Sequence, residues 1–183
     1  GISLFGTGAI KGLIQNNTIT VNGTAASDGI SLSGGANHQL IMHNRFIAVR
    51  TGSAADAFDL SGGGTNITLF NNTLPSLLTG YALNLSASSV NVTLIDQYLT
   101  NYSFLTPGSY LTVNDSRYGA LSFITPANGS GTNFSRDIRF SNASVFINET
   151  VWAAGLNKSM NITLYGFTPG SNPAIYRNGL ACT

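Results

Sequence analysis

An internal repeat constrains this chain more than any other feature, because a repeat of 20 to 50 residues dictates an architecture rather than an element. Four segments align at a spacing of about 25 to 28 residues. Gly1-Ile2-Ser3-Leu4 leads to Leu13-Ile14-Gln15-Asn16-Asn17-Thr18-Ile19, and Gly29-Ile30-Ser31-Leu32 to Leu40-Ile41-Met42-His43-Asn44-Arg45-Phe46. Ala57-Phe58-Asp59-Leu60 leads to Thr68-Leu69-Phe70-Asn71-Asn72-Thr73-Leu74, and Ala82-Leu83-Asn84-Leu85 to Thr93-Leu94-Ile95-Asp96-Gln97-Tyr98-Leu99.

Each repeat holds two short alternating stretches, and period-2 alternation places alternate side chains on one face of a strand. Four apolar columns result: Ile2, Ile30, Phe58, Leu83; Leu4, Leu32, Leu60, Leu85; Ile14, Ile41, Leu69, Leu94; and Ile19, Phe46, Leu74, Leu99. Between the last two columns stand Asn17, Asn44, Asn72 and Gln97. Side-chain amides there can turn a corner and bond their counterparts one repeat away, or can reflect ordinary turn preference. Regular two-residue Asn-Gly or Asp-Gly connections, which an antiparallel sandwich would use, are missing between the strands. Glu occurs once and Lys twice, so the usual formers of exposed helical faces are lacking. The expectation is an all-β chain of stacked parallel coils, each burying its apolar face on its neighbours.

The run Gly29-Ile30-Ser31-Leu32 with Asn44 resembles the coils of NosD-like proteins and other carbohydrate-binding or sugar-hydrolase β-helices. The resemblance covers residues 1–103 and implies a right-handed parallel β-helix of about four rungs. That family spans pectin-degrading enzymes, surface adhesins and accessory proteins of metal-site assembly. After about Leu105 the register is expected to be lost, with Thr106-Pro107-Gly108 as the boundary. Residues 104–183 then form a β-rich cap or sandwich-like module, with strands expected at Tyr110–Val113, Ala120–Thr125, Asp137–Phe140, Ser144–Asn148, Met160–Tyr165 and Ala174–Arg177. Leu156–Gly166 and Pro173–Gly179 before Cys182 are similar to a module that follows β-helices in large archaeal surface proteins. This resemblance implies either an excerpt of a longer chain or a subunit completed by its neighbour. Cys182 is a free or buried thiol, or has its disulfide partner elsewhere.

The net charge of +1 and the absence of any Lys/Arg run argue against a nucleic-acid partner. No apolar stretch reaches membrane-spanning length. The first residues lack a signal peptide's basic region and apolar core, as expected of a mature or trimmed product. Fourteen of the 20 asparagines begin an Asn-x-Ser/Thr sequon: Asn16, Asn22, Asn66, Asn71, Asn84, Asn91, Asn101, Asn114, Asn128, Asn133, Asn142, Asn148, Asn157 and Asn161. With Ser and Thr at about a fifth of the chain, chance gives roughly four. The excess predicts N-glycosylation and an extracellular or cell-surface location. A Ser/Thr/Asn-rich β protein whose turns generate sequons passively is the alternative.

Candidate chemistry is sparse. Asp28, Asp56 and Asp59 fall at matching repeat positions and are the only candidate general acids and bases for glycan cleavage, with Arg45 or Arg50 completing a lyase-like set. Ala55 stands where an adjacent aspartate pair would be expected, and turn aspartates bonding their own backbone are the plainer reading. His38, Met42 and His43 are a thin ligand set for copper or zinc, so no metal and no cofactor are expected. Phe70, Tyr98, Tyr102, Tyr110, Tyr118 and Trp152 are candidates for stacking on sugar rings. The expected function is a structural or adhesive surface glycoprotein, in a filament or surface layer. Its partners would be other copies of itself or surface proteins, covalent N-glycans and extracellular polysaccharide. A β-helix hydrolase or lyase, or a non-catalytic glycan-binding module, is the alternative. Ile2 and Leu4 occupy apolar columns at the first residues, so missing sequence or another subunit is expected to cover them.

Overall fold

The computed structural model describes residues 1–6, 11–22, 27–50, 55–76, 78–85, 89–148, 155–166, 176–177 and 180–181, with backbone alone at 50, 89–90, 105–109, 176–177 and 180–181. The expected sites Trp152 and Cys182 lie outside them. The chain is all-β with parallel sheets. One six-stranded sheet runs in the order β1 (Ile2–Phe5), β4 (Ile30–Ser33), β7 (Phe58–Gly62), β9 (Leu83–Leu85), β11 (Tyr102–Ser109) and β14 (Ala127–Gly131). All its pairs are parallel except the last. A seven-stranded sheet holds β2 (Gly12–Gln15), β5 (Gln39–Met42), β8 (Gly64–Phe70), β10 (Ser89–Ile95) and β12 (Leu111–Asp115), all parallel. Antiparallel β13 (Gly119–Phe123) and β17 (Met160–Leu164) complete it. A third parallel pair, β3 (Thr18–Asn22) and β6 (Arg45–Arg50), is prolonged by bridges from Arg45 to Thr73 and from Val49 to Leu78.

The pairing puts the repeats in register. Ile2 opposes Ile30, Ile30 opposes Phe58, and Phe58 opposes Leu83. Ile14, Ile41, Leu69 and Leu94 form a second continuous row, and Ile19 opposes Phe46. Ile30, Phe58 and Leu83 are wholly buried, each contributing about 1.5–3 kcal/mol by leaving water. Close packing also dictates a glycine. A Cβ on Gly29 would lie 2.5 Å from Phe46 Cε1, whose ring meets Phe58 edge-on at 5.0 Å.

The expected loss of register after Leu105 does not occur there. β11 runs through Thr106-Pro107-Gly108, and Tyr102 and Phe104 oppose Leu83 and Leu85. Val113 in turn opposes Leu94, so the parallel columns cross the expected 103/104 division. Proline fits because β11 is irregular here, its pairing with β14 shifting between Phe104 and Ser109. Below this level the helix α1 (Phe134–Asp137) buries Phe134 against the rings of Tyr102 and Phe104 at 5.1 and 5.8 Å. Asn133 caps it, accepting from the Arg136 N–H at 2.9 Å. Asp137 is buried and accepts from the Tyr102 hydroxyl at 3.2 Å and the Asn148 amide at 2.8 Å. Burial first, then the Asp137 carboxylate, holds the Tyr102 hydroxyl above its ordinary range. Tyr102 is therefore a core residue and not one of the exposed stacking aromatics that were expected. Two further hairpins pair β15 (Ile138–Ser141) with β16 (Ser144–Ile147), and β18 (Tyr176–Arg177) with β19 (Leu180–Ala181).

The amide column is a hydrogen-bonded ladder. Asn44 Oδ1 accepts from the Asn17 N–H and Nδ2, both at 3.0 Å. Asn72 Oδ1 accepts likewise from Asn44 at 3.0 Å, and Gln97 Oε1 from Asn72 at 2.9 Å. Asn44 Nδ2 also donates to the Ile14 and Met42 carbonyls, at 2.9 and 3.1 Å. The residue before each amide is left-handed: Asn16, His43, Asn71 and Asp96, at φ 57, 53, 46 and 46. Asn, Asp and His are the non-glycine residues that most readily adopt that conformation.

Replacing Asn44 with Leu strands several buried partners at once, whereas Asn17 is exposed. At about 1–3 kcal/mol for an orphaned buried group, Asn44→Leu should cost about 3 kcal/mol or more, and Asn17→Ala about 1 kcal/mol. Urea unfolding of the two variants checks the order; equal losses would deny the ladder its structural weight.

Candidate functional site

The three expected carboxylates do come together, at the entrance to the six-stranded sheet. The in-register strands that follow bring positions 28, 56 and 59 onto neighbouring levels, but each carboxylate is already engaged. Asp28 Oδ1 accepts from the Asp56 N–H at 2.9 Å, and Asp56 Oδ1 from the Tyr81 N–H at 2.6 Å. Asp56 Oδ2 accepts from Asn84 Nδ2 at 2.7 Å. One level on, Asn101 reaches back instead, accepting from the Ala82 N–H at 3.1 Å and donating to the Gly80 carbonyl at 2.6 Å. Asp59 accepts from the Ser61 N–H at 3.0 Å and from Ser31 Oγ at 3.4 Å. Asp28 and Asp56 thus bond the backbone of the next repeat, a pattern the sequence hid because the partner is a main-chain N–H some 25 to 28 residues away. Arg45 opens β6 in another sheet, and only the backbone of Arg50 is described.

Burial dominates the electrostatics of the cluster. Burial, foremost, raises the Asp28 carboxyl above its ordinary range; the charges of Asp59 and Asp56 add to this and the Asp56 N–H opposes it. Burial likewise raises Asp56, against the lowering effect of the Tyr81 N–H and the Asn84 amide. Both groups thus favour the proton more when folded than when unfolded. Their stabilising contribution is complete below the unfolded value near 3.8 and fades as pH rises through the raised folded values.

The candidate histidines His38 and His43 lie apart. His38 precedes β5 and His43 follows it, so the strand separates them. His38 Nε2 meets Asn66 Nδ2 at 3.2 Å, and His43 lies against Phe70 with centroids 4.8 Å apart. Among the described residues no group of three or more His, Cys, Asp or Glu is placed to hold a metal.

The sequons divide by geometry. Asn16, Asn22, Asn66, Asn71, Asn91, Asn142, Asn157 and Asn161 are exposed. Asn84, Asn101 and Asn148 are half-buried, with Nδ2 donating at 2.6–2.8 Å to Asp56, Gly80 and Asp137. Asn133 is half-buried as the cap of α1, and Asn114 and Asn128 are half-buried too.

One feature had no signal in the sequence: a cleft of about 580 Å³ where the seven-stranded sheet meets α1 and β15. Phe134, Ile138 and Val113 line it with Tyr98, Tyr118, Phe140, Asp96, Asp115, Arg117 and Arg139. Asp96 accepts from the Ser116 N–H at 2.8 Å, and Asp115 from those of Arg117 and Tyr118 at 2.9 and 3.0 Å. The Arg117 guanidinium lies 5.7 Å from the Tyr118 ring centroid. The Tyr118 hydroxyl, then the aspartates, raise the Arg117 pKa further. These residues come from segments about 20 positions apart, outside the repeat period.

Comparison of the chain with protein-family models, curated proteins and solved structures finds no match.

The carboxylate pattern makes a pH prediction. Unfolding free energy should fall as pH rises from about 4 through the raised folded values of Asp28 and Asp56. Asp28→Asn keeps an acceptor for the Asp56 N–H and should flatten that fall. Parallel curves for the two proteins, from chemical denaturation across pH 3–8, would contradict this account.

Proposed function

We propose that this chain is a structural or adhesive glycoprotein of an extracellular surface. Its scaffold is read as a right-handed parallel β-helix of the NosD-like type, closed by a β-rich C-terminal module. Parallel strands joined through crossovers are right-handed in nearly all proteins, which supports the hand. The columns and the amide ladder, spaced 27, 28 and 25 residues, support the coil. The observation that carries the functional reading is the spending of Asp28, Asp56 and Asn101 on the backbone of adjoining repeats. A general acid or base must be reached by its substrate, and Asp56 is 8% exposed with a donor already on each oxygen. Other copies or surface proteins, and extracellular polysaccharide, are the partners such a scaffold would meet. The rival hydrolase or lyase reading needs these same carboxylates. Incubation with polygalacturonate and with neutral glucans should release no reducing ends or unsaturated products, from the wild type or from Asp56→Asn. Cleavage lost in Asp56→Asn would replace the structural reading with an enzymatic one.

A second reading, a glycan-binding module, is favoured by the cleft alone. Aromatic faces suit the C–H face of a sugar ring, carboxylates and guanidinium groups suit its hydroxyls, and the volume falls within the roughly 300–1,000 Å³ of small-ligand sites. Tyr98 is 61% exposed, so Tyr98→Ala leaves the fold intact. In calorimetric titration with neutral and uronate oligosaccharides, this reading expects a Kd about tenfold or more weaker for the variant. Equal affinity, or no binding by the wild type, removes it.

A further inference from the structure

The outer face of the seven-stranded sheet is framed by two columns of left-handed residues. One is Asn16, His43, Asn71 and Asp96; the other is His38, Asn66 and Asn91, at φ 55, 58 and 56. Between them each strand presents two outward side chains. One row reads Leu13, Leu40, Thr68, Thr93, Thr112, and the other Gln15, Met42, Phe70, Ile95, Asn114. The first levels are therefore apolar on the outside as well: Leu13 is 60% and Leu40 36% exposed, and Met42, Phe70 and Ile95 are half-exposed. A shallow depression of about 490 Å³ beside Asn66 is lined by Leu13, Leu40, Thr68, Lys11 and His38. The face between the columns is four residues wide, about 13 Å at 3.3 Å per residue.

The left-handed backbone explains an Asn in either column but places no demand on the residue two positions later. Two residues after Asn16, Asn66, Asn71 and Asn91 stand Thr18, Thr68, Thr73 and Thr93. Two residues after His38, His43 and Asp96, in the same backbone setting, stand Leu40, Arg45 and Tyr98. Every left-handed Asn of the two columns is followed by Thr two residues on, and no left-handed His or Asp is, although the same row also holds Thr112, which follows no such Asn. Strand propensity acts equally on both sets, so it does not separate them. The amides of Asn66 and Asn91 make only exposed contacts, at 3.2 and 3.3 Å, which leave room for a substituent. By contrast, the amides of Asn84, Asn101 and Asn148 are half-buried and donate to partners inside the fold, where a glycan would have to find room between packed elements.

We propose that N-glycans on Asn16 and Asn71 along one edge, and on Asn66 and Asn91 along the other, cover the apolar outer face of the seven-stranded sheet, while Asn84, Asn101 and Asn148 carry none. The glycans hide the Leu13–Leu40 and Met42–Phe70–Ile95 strips that would otherwise be a site of self-association. The proposal rests on the reading of the chain as a glycoprotein and adds to it a pattern of sites and a purpose.

Glycopeptide mass spectrometry of the full chain from its source cells tests the pattern. Glycans are expected at the four framing asparagines, and a glycan on Asn84, Asn101 or Asn148 in folded protein overturns the division. Enzymatic or chemical deglycosylation tests the covering. With circular dichroism unchanged, binding of the apolar dye anilinonaphthalene sulfonate should rise several-fold, and Leu13→Ser with Phe70→Thr should return it toward the glycosylated level. Thr18→Ala and Thr73→Ala remove two sequons while keeping the left-handed asparagines, and should give a partial rise. Framing glycans present but dye binding unchanged on their removal would overturn the covering alone. A chain without any glycan would overturn the covering and the glycoprotein reading together.

Discussion

The structure depends on a buried side-chain amide that bonds the level above and the level below. Where the chain leaves the seven-stranded sheet it must turn sharply, and a turn frees main-chain groups that a buried corner cannot leave unpaired. Asn44 resolves this from a position 1% exposed: its oxygen serves the preceding repeat and its nitrogen the carbonyls of Ile14 and Met42. The left-handed residue before it makes the turn possible, and the apolar columns on either side keep register because the corner sets their level. Gln97 can take the last place because the next level is closed differently: its longer side chain still reaches Asn72, and its nitrogen returns to the Asn72 carbonyl at 2.9 Å.

A second polar column works on the same principle at the opposite corner. Asp28, Asp56 and Asn101 bond the main chain of an adjoining level, and the mixture of acids and an amide shows that the acceptor oxygen, not the charge, is what the site uses. The charge is a burden there, which is why burial raises the carboxyls of Asp28 and Asp56. Carboxylates at matching repeat positions suggest catalysis in a sequence; in the structure Asp28 and Asp56 accept from main-chain N–H groups of the next repeat. The end of the array obeys another rule. Tyr102 and Phe104 continue the parallel columns for one more level, Phe134 packs against their rings, and the buried Asp137 is satisfied by Tyr102 and Asn148.

The repeat, its apolar columns and its amide ladder were legible in the sequence, because parallel strands place equivalent residues of successive repeats side by side. What the sequence determined is thus what recurs: Ile30 above Phe58 and Asn44 above Asn72 are neighbours for the same reason that they align. Tertiary structure alone decided which polar groups turn inward, where the parallel columns stop and where a cleft opens. Those outcomes depend on single pairings without a period, such as Tyr102 with Asp137 across 35 residues or Tyr165 with Asn114 across 51. For the same reason the sequons of Asn71 and Asn84 look alike as text, yet one residue is exposed and the other is half-buried and gives its amide to Asp56.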